Sequence, residues 1–293
     1  MTKKVFLCRY DGAYRNIEGL PTEEQVEAVR RFRRSGGVFG VITERDVFEI
    51  MAVIGGLRGE YDFIVCSSGA CLIAPTAVAS GHGIASVGVE SAPPVQVYCH
   101  TVQPNVIRTL HGIFSGVGIT YMNADTPGFR GGFGMGMDFA RDYSDADGIG
   151  CKIHFWHEDG QFFGSYVSAE ALQYVFPISQ ARVEFRSNMV VQTVADVARA
   201  AVGDTVKIHM DDGGFRITSP MADYACGVAE YLRLAGIDDS EVWALGYLPE
   251  DVSLMERFRG LAMTGSAAAE SVAAQYVVPD AATAVRIIEG DRI

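Results

Sequence analysis

Eight residues in four short segments of this chain have side chains that could form a binding or catalytic site. They are Arg9, Asp11, Thr43, Arg45, Ser68, Tyr247, Glu250 and Asp251. Carboxylates in a closed pocket can transfer protons or hold a cation, and a guanidinium can bind an anion or neutralise nearby carboxylates. These residue types therefore predict acid–base or ion-binding chemistry, provided that the fold brings the four segments together.

Each segment follows an apolar run that predicts a buried strand. The first run ends at the Asp11-Gly12 turn, and the others lie in "GVFGVIT", "YDFIVCSSGA" and "EVWALGYLPEDVSLM". Residues 21–36 begin with Pro-Thr-Glu-Glu and end at Gly36, which is typical of a helix. Because strands and helices alternate, we expect a parallel sheet with right-handed crossovers. The carboxyl ends of its strands should then form one pocket.

The middle of the chain has a different pattern. Stretches such as "PVQVYCHTV" and "CKIHFWHEDGQFFGSYV" alternate apolar and polar residues between polar turns, which predicts antiparallel strands. We therefore expect an α/β protein with a Rossmann-like parallel-sheet core and an inserted α+β cap domain. The expected core is residues 1–74 and 196–293, and the expected cap is residues 75–195.

The composition limits the classes of partner. A formal net charge of −12 argues against nucleic acid and against an anionic membrane surface, since both require a basic surface. A small anionic metabolite stays compatible, because a few arginines can dominate the field within one pocket. A protein partner is compatible as well. The cysteines are scattered, no signal peptide is visible, and no apolar run approaches the ~20 residues of a membrane span, so we expect a cytoplasmic protein.

Four motifs occur in a fixed order at the two ends of the chain. "RYDGAY" is similar to Asp-x-Asp-Gly-Thr, "VITERD" to a strand-end Thr-Gly-Arg, and "CSSGACL" to an Asn-Gly-Ala stretch. "GYLPEDVSLM" is similar to Gly-Asp-x-x-Asn-Asp-x-x-Met-Leu, and a glycine- and alanine-rich segment follows it. Together they resemble the haloacid dehalogenase-like superfamily, in its Cof-like sugar-phosphatase branch. The cap resembles that of the family only in its position in the chain and in its pattern of apolar and polar residues.

That resemblance implies phosphoryl transfer through an aspartyl-phosphate with Mg²⁺, and it identifies what this chain lacks for that chemistry. Arg9 stands at the position of the nucleophilic aspartate, and Tyr247 stands at that of the principal metal-binding aspartate. Cys226 falls near the position of the family's lysine. The implied site is therefore degenerate.

Other positions of the family's pattern keep a suitable residue. Asp11 stands at the acid–base position, Thr43 at the phosphate-binding hydroxyl, and Glu250-Asp251 at the Asn-Asp pair. The candidate catalytic residues are Asp11, Tyr247, Glu250 and Asp251. The candidate ligand-binding residues are Arg9, Thr43, Arg45, Ser68 and Cys226.

An arginine at the nucleophile position has a physical explanation. Without a cation, the carboxylates of Asp11, Glu250 and Asp251 would repel one another. A guanidinium can hold one carboxylate with two N–H groups and reach another, so we predict that Arg9 replaces the metal and that no metal cofactor is bound. Arg9 serves only as this counter-ion, or it also binds an anionic ligand group. Tyr247 fills the metal's space, or it acts as a hydrogen-bond donor or general acid.

Three functions are compatible with these residues. The first, which we expect, is a repurposed metal-independent biosynthetic enzyme that isomerises, eliminates or cyclises a small metabolite by acid–base chemistry. The second is a non-catalytic pseudophosphatase that binds a ligand or a protein partner. The third is a residual small-metabolite phosphatase with relocated groups, which the missing nucleophile disfavours.

Overall fold

The structure, a computed structural model, describes residues 2–15, 20–53, 60–75, 94–115, 119–130, 133–138, 150–157, 162–168, 178–185, 187–238, 240–271 and 273–290. No helix within these ranges has both the length and the apolar character that a membrane crossing requires.

Strands and helices alternate at both ends of the chain. The strands are β1 (Lys3–Arg9), β2 (Val38–Ile42), β3 (Phe63–Cys66), β4 (Cys71–Pro75), β5 (Pro94–Cys99), β6 (Ile119–Arg130), β7 (Phe133–Asp138), β8 (Gly150–His157), β9 (Phe162–Ser168), β10 (Gln180–Phe185), β11 (Lys207–Asp211), β12 (Gly214–Thr218), β13 (Ser240–Gly246), β14 (Arg259–Met263) and β15 (Tyr276–Val278). The helices are α1 (Glu23–Arg34), α2 (Val47–Val53), α3 (Pro104–Ser115), α4 (Asn188–Val202), α5 (Tyr224–Leu234), α6 (Val252–Arg257) and α7 (Ala281–Glu289).

The core is built on one mostly parallel sheet. Its strand order is β15-β14-β13-β1-β2-β3-β4-β5. Neighbours from β15 to β3 run parallel, and β4 and β5 continue the sheet antiparallel. Because β1 lies between β13 and β2, its carboxyl end meets the ends of both neighbours. The predicted Rossmann-like α/β core is confirmed.

Helices cover both faces of this sheet. On one face, Val29 of α1 and Val285 of α7 belong to the same buried cluster as Phe6 of β1. On the other face, Val228 of α5 belongs to a cluster with Leu7 of β1. Alternating side chains of β1 are thus buried on opposite faces, and Arg9, the last residue of the strand, lies on the same face as Leu7.

Helix α1 shows how the local sequence sets one of these elements. Thr22 Oγ1 accepts a hydrogen bond from the backbone N–H of Gln25 at 3.2 Å, and Gln25 Oε1 accepts one from the N–H of Thr22 at 2.9 Å. This capping box satisfies N–H groups that a helix start otherwise leaves unpaired. Acidic residues in the first turn and arginines in the last turn match the helix dipole. The predicted helix is confirmed.

The second sheet is antiparallel and has the order β11-β12-β10-β6-β7-β8-β9. A separate buried cluster lies against it, to which Ile107 of α3, Ala195 of α4 and Phe215 of β12 contribute. This sheet and its helices form the cap.

The predicted domain boundaries at residues 75 and 195 are wrong in two places. The strand within "PVQVYCHTV" is β5, which pairs with β4 at the edge of the core sheet. Strands β11 and β12 pair in the cap sheet, so the cap continues to Thr218. Alternating polarity marks an antiparallel strand but not the sheet to which it belongs, which is why the sequence pattern misplaced both ends.

Candidate functional site

Arg9, the last residue of β1, lies at the centre of a buried ion network. Its side chain is 0% exposed. Its Nε donates to Oδ1 and Oδ2 of Asp251 at 3.0 and 3.1 Å, and its Nη2 donates to Oδ1 of Asp251 and, at 3.1 Å, to Oε1 of Glu250. Its Nη1 donates to Oε2 of Glu44. One guanidinium therefore contacts three carboxylates.

Tyr224, the first residue of α5, completes the surroundings of Arg9. Its hydroxyl lies 3.4 Å from Nη1 of Arg9, and the guanidinium carbon lies 5.2 Å from the centre of its ring. Burial by itself lowers the pKa of Arg9, but the carboxylate of Asp251, with Tyr224 and Glu44, raises that pKa well above its usual value. Arg9 is therefore a permanent positive charge in the core.

Asp251 is fixed from two sides. Besides Arg9, its Oδ2 accepts hydrogen bonds from the backbone N–H groups of Tyr247 and Leu248, both at 2.9 Å. Its side chain is 0% exposed. Tyr247 packs its ring over Gly12, which has φ +84°, and a Cβ at Gly12 would lie 2.4 Å from Cδ1 of that ring. The loop after β13 is thus locked against the loop after β1.

Asp11 is paired with another arginine rather than with Arg9. Arg45 donates from Nε to Oδ2 of Asp11 at 2.7 Å and from Nη2 to Oδ1 at 2.8 Å. Arg15 approaches Oδ1 of Asp11 to 4.0 Å. Thr43 is buried, and its Oγ1 accepts a hydrogen bond from the backbone N–H of Arg45 at 3.1 Å. Thr43 therefore orients the residue that holds Asp11.

The cap contributes two nearly buried polar residues to the site. Arg216 of β12 binds Asp211 through Nε at 2.8 and 3.0 Å, Glu250 through Nη2 at 3.2 Å, and Oγ of Ser68 through Nη1. Gln180 of β10 accepts from the Ser68 hydroxyl at 2.9 Å and donates to the backbone carbonyl of Glu44 at 3.0 Å. These contacts join the cap to the core.

Ser68 occupies a strained turn after β3. Ser67 and Ser68 have φ angles of 51° and 52°, in the left-handed region that disfavours residues other than glycine. Such conformations persist where surrounding contacts hold them. Here the hydroxyl of Ser68 meets Gln180 and Arg216 together, and these contacts hold the strained turn against the cap.

A cleft of about 380 Å³ opens between the core and the cap beside this network. We call it the first cleft. Its lining residues are Asp11, Gly12, Arg15, Glu44, Arg45, Glu49, Gln180, Arg182, Asp211 and Arg216. Four arginines and four carboxylates face it, and each of the arginines lies within 4.0 Å of a carboxylate. The cleft is polar and its charges are internally balanced.

The structure brings most of the predicted residues to one edge of the sheet. Arg9 meets Glu250 and Asp251, and Arg45 meets Asp11. Of the three carboxylates that Arg9 could neutralise, Glu250 and Asp251 pair with it, whereas Asp11 holds Arg45 with both of its oxygens. The other predicted residues at this edge are Thr43, Ser68 and Tyr247.

Cys226 has a different environment from the one expected. Its backbone N–H donates to Oδ1 of Asp223 at the start of α5, and it is not a lining residue of the first cleft. Tyr224, two residues earlier, is the side chain of this segment that reaches Arg9. The predicted site residues did not include Glu44 or the cap residues Gln180, Asp211 and Arg216. Glu44 had a signal, since it is an acidic residue directly after Thr43 at a strand end.

Comparisons with known proteins support the fold. No protein-family model and no curated protein matches the sequence. Among solved structures, a haloacid dehalogenase-like hydrolase from Bacteroides thetaiotaomicron is 14% identical, with a TM-score of 0.67 over 98% of this chain and 99% of that one. This chain has the haloacid dehalogenase fold.

Two further structures with the haloacid dehalogenase fold match over nearly their whole length. A subclass IIB sugar phosphatase is 14% identical, with a TM-score of 0.62 over 98% of this chain and 97% of that chain. A haloacid dehalogenase-like hydrolase from B. subtilis is 13% identical, with a TM-score of 0.63 over 98% and 99%. At these sequence identities the similarity shows a shared fold and does not show a shared reaction or substrate.

Proposed function

We propose that this protein is a pseudophosphatase: it binds a small polar metabolite in the first cleft without metal and without phosphoryl transfer. The observation that carries the proposal is the Arg9 network. The family resemblance puts a nucleophilic carboxylate where Arg9 stands, and a permanently charged guanidinium has no lone pair with which to attack phosphorus.

The same network is unsuited to Mg²⁺, the ion that the fold family implies. Magnesium requires oxygen ligands in near-octahedral geometry. Both oxygens of Asp251 accept N–H donors from Arg9 or from backbone, and Tyr247 stands where the resemblance expects an aspartate. A cation there would also face the positive charge of Arg9. The residues therefore do not fit the ion.

Binding without catalysis is favoured by how the carboxylates are held. Asp11 points both oxygens at Arg45, and Glu250 is shared between Arg9 and Arg216. Asp251 is fully enclosed, so it has no route to a ligand in the first cleft. The four expected acid–base residues thus do not converge on one cleft position as proton transfer requires.

A calorimetric titration with MgCl₂ tests this proposal. We expect no saturable heat for the wild-type protein, and measurable affinity for Arg9→Asp, because that variant removes the shared cation and places a fourth carboxylate beside Glu44, Glu250 and Asp251. Arg233→Asp is the matched control, since Arg233 is exposed and pairs only with Glu230 among the described residues. Saturable Mg²⁺ binding by the wild type, or Mg²⁺-dependent hydrolysis of p-nitrophenyl phosphate, would refute the proposal.

Ligand binding in the first cleft is tested by thermal shift with a panel of phosphorylated and carboxylated metabolites. A ligand of the folded state raises the midpoint as its concentration exceeds the Kd. We expect at least one metabolite to stabilise the wild type in EDTA and to do so less in Arg15→Gln, which alters one cleft arginine. If the shift is equal in both proteins, the ligand does not occupy this cleft.

A metal-independent acid–base enzyme is the second candidate. It is favoured by one observation: Asp11 and Glu44 both line the first cleft. For a metabolite identified by thermal shift, conversion by the wild type but not by Asp11→Asn, with binding retained, would establish this function in place of simple binding.

A further inference from the structure

A second cleft, of about 290 Å³, lies between the cap and the core and shares no lining residue with the first. Both clefts adjoin the ion network. Glu44 and Arg216 line the first cleft, whereas Tyr224 and Glu250 line the second. A ligand in the first cleft and a ligand in the second cleft would therefore contact different members of the same ion network.

Two cations without ion-pair partners among the described residues, one from the cap and one from the core, distinguish the second cleft. Lys207 belongs to β11 of the cap, and Arg257 is the last residue of α6 in the core. Within the part of the chain that the structure describes, neither side chain has an ion-pair partner. This contrasts with the first cleft, where each arginine has a carboxylate within 4.0 Å.

The carboxylates of the second cleft are already compensated. Glu250 pairs with Arg9 at 3.1 Å and with Arg216 at 3.2 Å. Asp223 caps α5, where its Oδ1 accepts N–H groups of Ala225 at 2.6 Å and Cys226 at 3.3 Å. Because these two negative charges have partners, the charges of Lys207 and Arg257 are the uncompensated ones.

We propose that the second cleft binds a small dianion, the phosphate group of a metabolite or free phosphate, between Lys207 and Arg257. A dianion matches two cations that line the same cleft, one from the cap and one from the core, and charge-assisted hydrogen bonds of this kind are strong. The ligand would bridge the cap and the core. This site is separate from the first cleft and does not depend on the function proposed for it.

Isothermal titration calorimetry with inorganic phosphate, at constant ionic strength set by chloride, tests the site. We expect saturable binding to the wild type and an affinity about tenfold lower in Lys207→Gln and in Arg257→Gln, the effect of one charge-assisted hydrogen bond. Arg259→Gln is the matched control, because Arg259 is also exposed and lies two residues away, but pairs with Glu241. It should bind phosphate as the wild type does.

Two further titrations distinguish a phosphorylated metabolite from free phosphate and the second cleft from the first. Glycerol phosphate that binds more tightly than inorganic phosphate identifies a phosphorylated metabolite, and equal affinity identifies the free anion; both support the site. Arg15→Gln should leave phosphate affinity unchanged, since Arg15 belongs to the first cleft. Absence of saturable phosphate binding, or equal losses in Arg259→Gln or Arg15→Gln, would overturn the proposal.

Discussion

Arg9 and Asp251 are separated by 242 residues in the sequence and joined by Nε–H bonds of 3.0 and 3.1 Å, with both side chains fully buried. A buried ion pair need not add net stability, but removal of one partner leaves the other charge without compensation in a low-dielectric interior. The pair therefore determines how substitutions at this site affect folding.

Arg9→Ala should lower the free energy of unfolding by about 3–5 kcal/mol, because Asp251 and two further carboxylates lose their shared cation. Urea denaturation followed by circular dichroism measures this. Arg233→Ala removes an exposed arginine that pairs with Glu230 within one helix, and it should cost at most about 0.5 kcal/mol. Similar costs for the two variants would contradict the role given to the network.

The packing of Tyr247 on Gly12 can be isolated with a matched pair of glycine substitutions. Gly12 and Gly213 have φ angles of +84° and +82°, so alanine is strained at both. At Gly213, however, the nearest atom to a new Cβ is 3.6 Å away, whereas at Gly12 the Tyr247 ring is 2.4 Å away. Gly12→Ala should therefore be the more destabilising by about 1–3 kcal/mol in urea denaturation, the cost of overpacking. Equal effects would show that the ring moves aside freely.

Two glycine substitutions in the strained turn after β3 should change the stability of the protein in opposite directions. Ser67→Gly should stabilise the protein by about 0.5–1 kcal/mol, because glycine adopts the left-handed conformation without strain. Ser68→Gly gains the same relief but loses the hydroxyl that meets Gln180 and Arg216, and it should be destabilising by about 1–2 kcal/mol. Thermal denaturation of the two variants distinguishes them, and stabilisation by Ser68→Gly would show that this hydroxyl contributes little.

His209 should make the stability of the folded protein depend on pH. Burial, with Arg216 and Lys207 nearby, lowers the pKa of His209 from its usual 6.5 to about 3, and its Nε2 lies 3.0 Å from Thr218 Oγ1. The unfolded chain therefore takes up a proton below about pH 6.5 that the folded protein refuses. Stability should be constant above that pH and should fall by at most about 2 kcal/mol on acidification to pH 5.

His209→Gln is the control for this pH effect, because glutamine can still hydrogen-bond Thr218 but does not titrate. Urea denaturation at a series of pH values from 7.5 to about 5, above the range in which most carboxylates titrate, compares the two proteins. A decline of the same size in both would assign the pH dependence to another group.

The core of the fold could be predicted from the sequence because its signals are local. The apolar run ending at Arg9, the Pro-Thr-Glu-Glu start of the first helix and the stop at Gly36 each mark an element, and parallel strand order then places the strand ends together. The contacts of Arg9 with Glu250 and Asp251 follow from motif order in the same way. Tyr224 was not predicted because helix phase decides which residue of "YACGVAEYL" faces the strand ends, and the family resemblance pointed to Cys226, two residues later.

The cap's share of the site could not be predicted. Arg216 and Gln180 reach Ser68 across sequence separations of 148 and 112 residues. Each lies on an antiparallel strand whose alternating pattern shows only that one face is buried. Which polar residue of that strand meets the core depends on how two domains dock, and no local periodicity encodes this.

Sequence drift at this site is constrained by the order in which substitutions can occur. Loss of Arg9 alone removes the cation that Glu44, Glu250 and Asp251 share and leaves Glu250 with Arg216 only, and loss of any one carboxylate leaves Arg9 under-compensated. Intermediates on either path are less stable than both endpoints. A descendant of this chain would therefore have to change several of the four positions almost together, and the buried arginine is expected to persist through generations in which surface residues are exchanged freely.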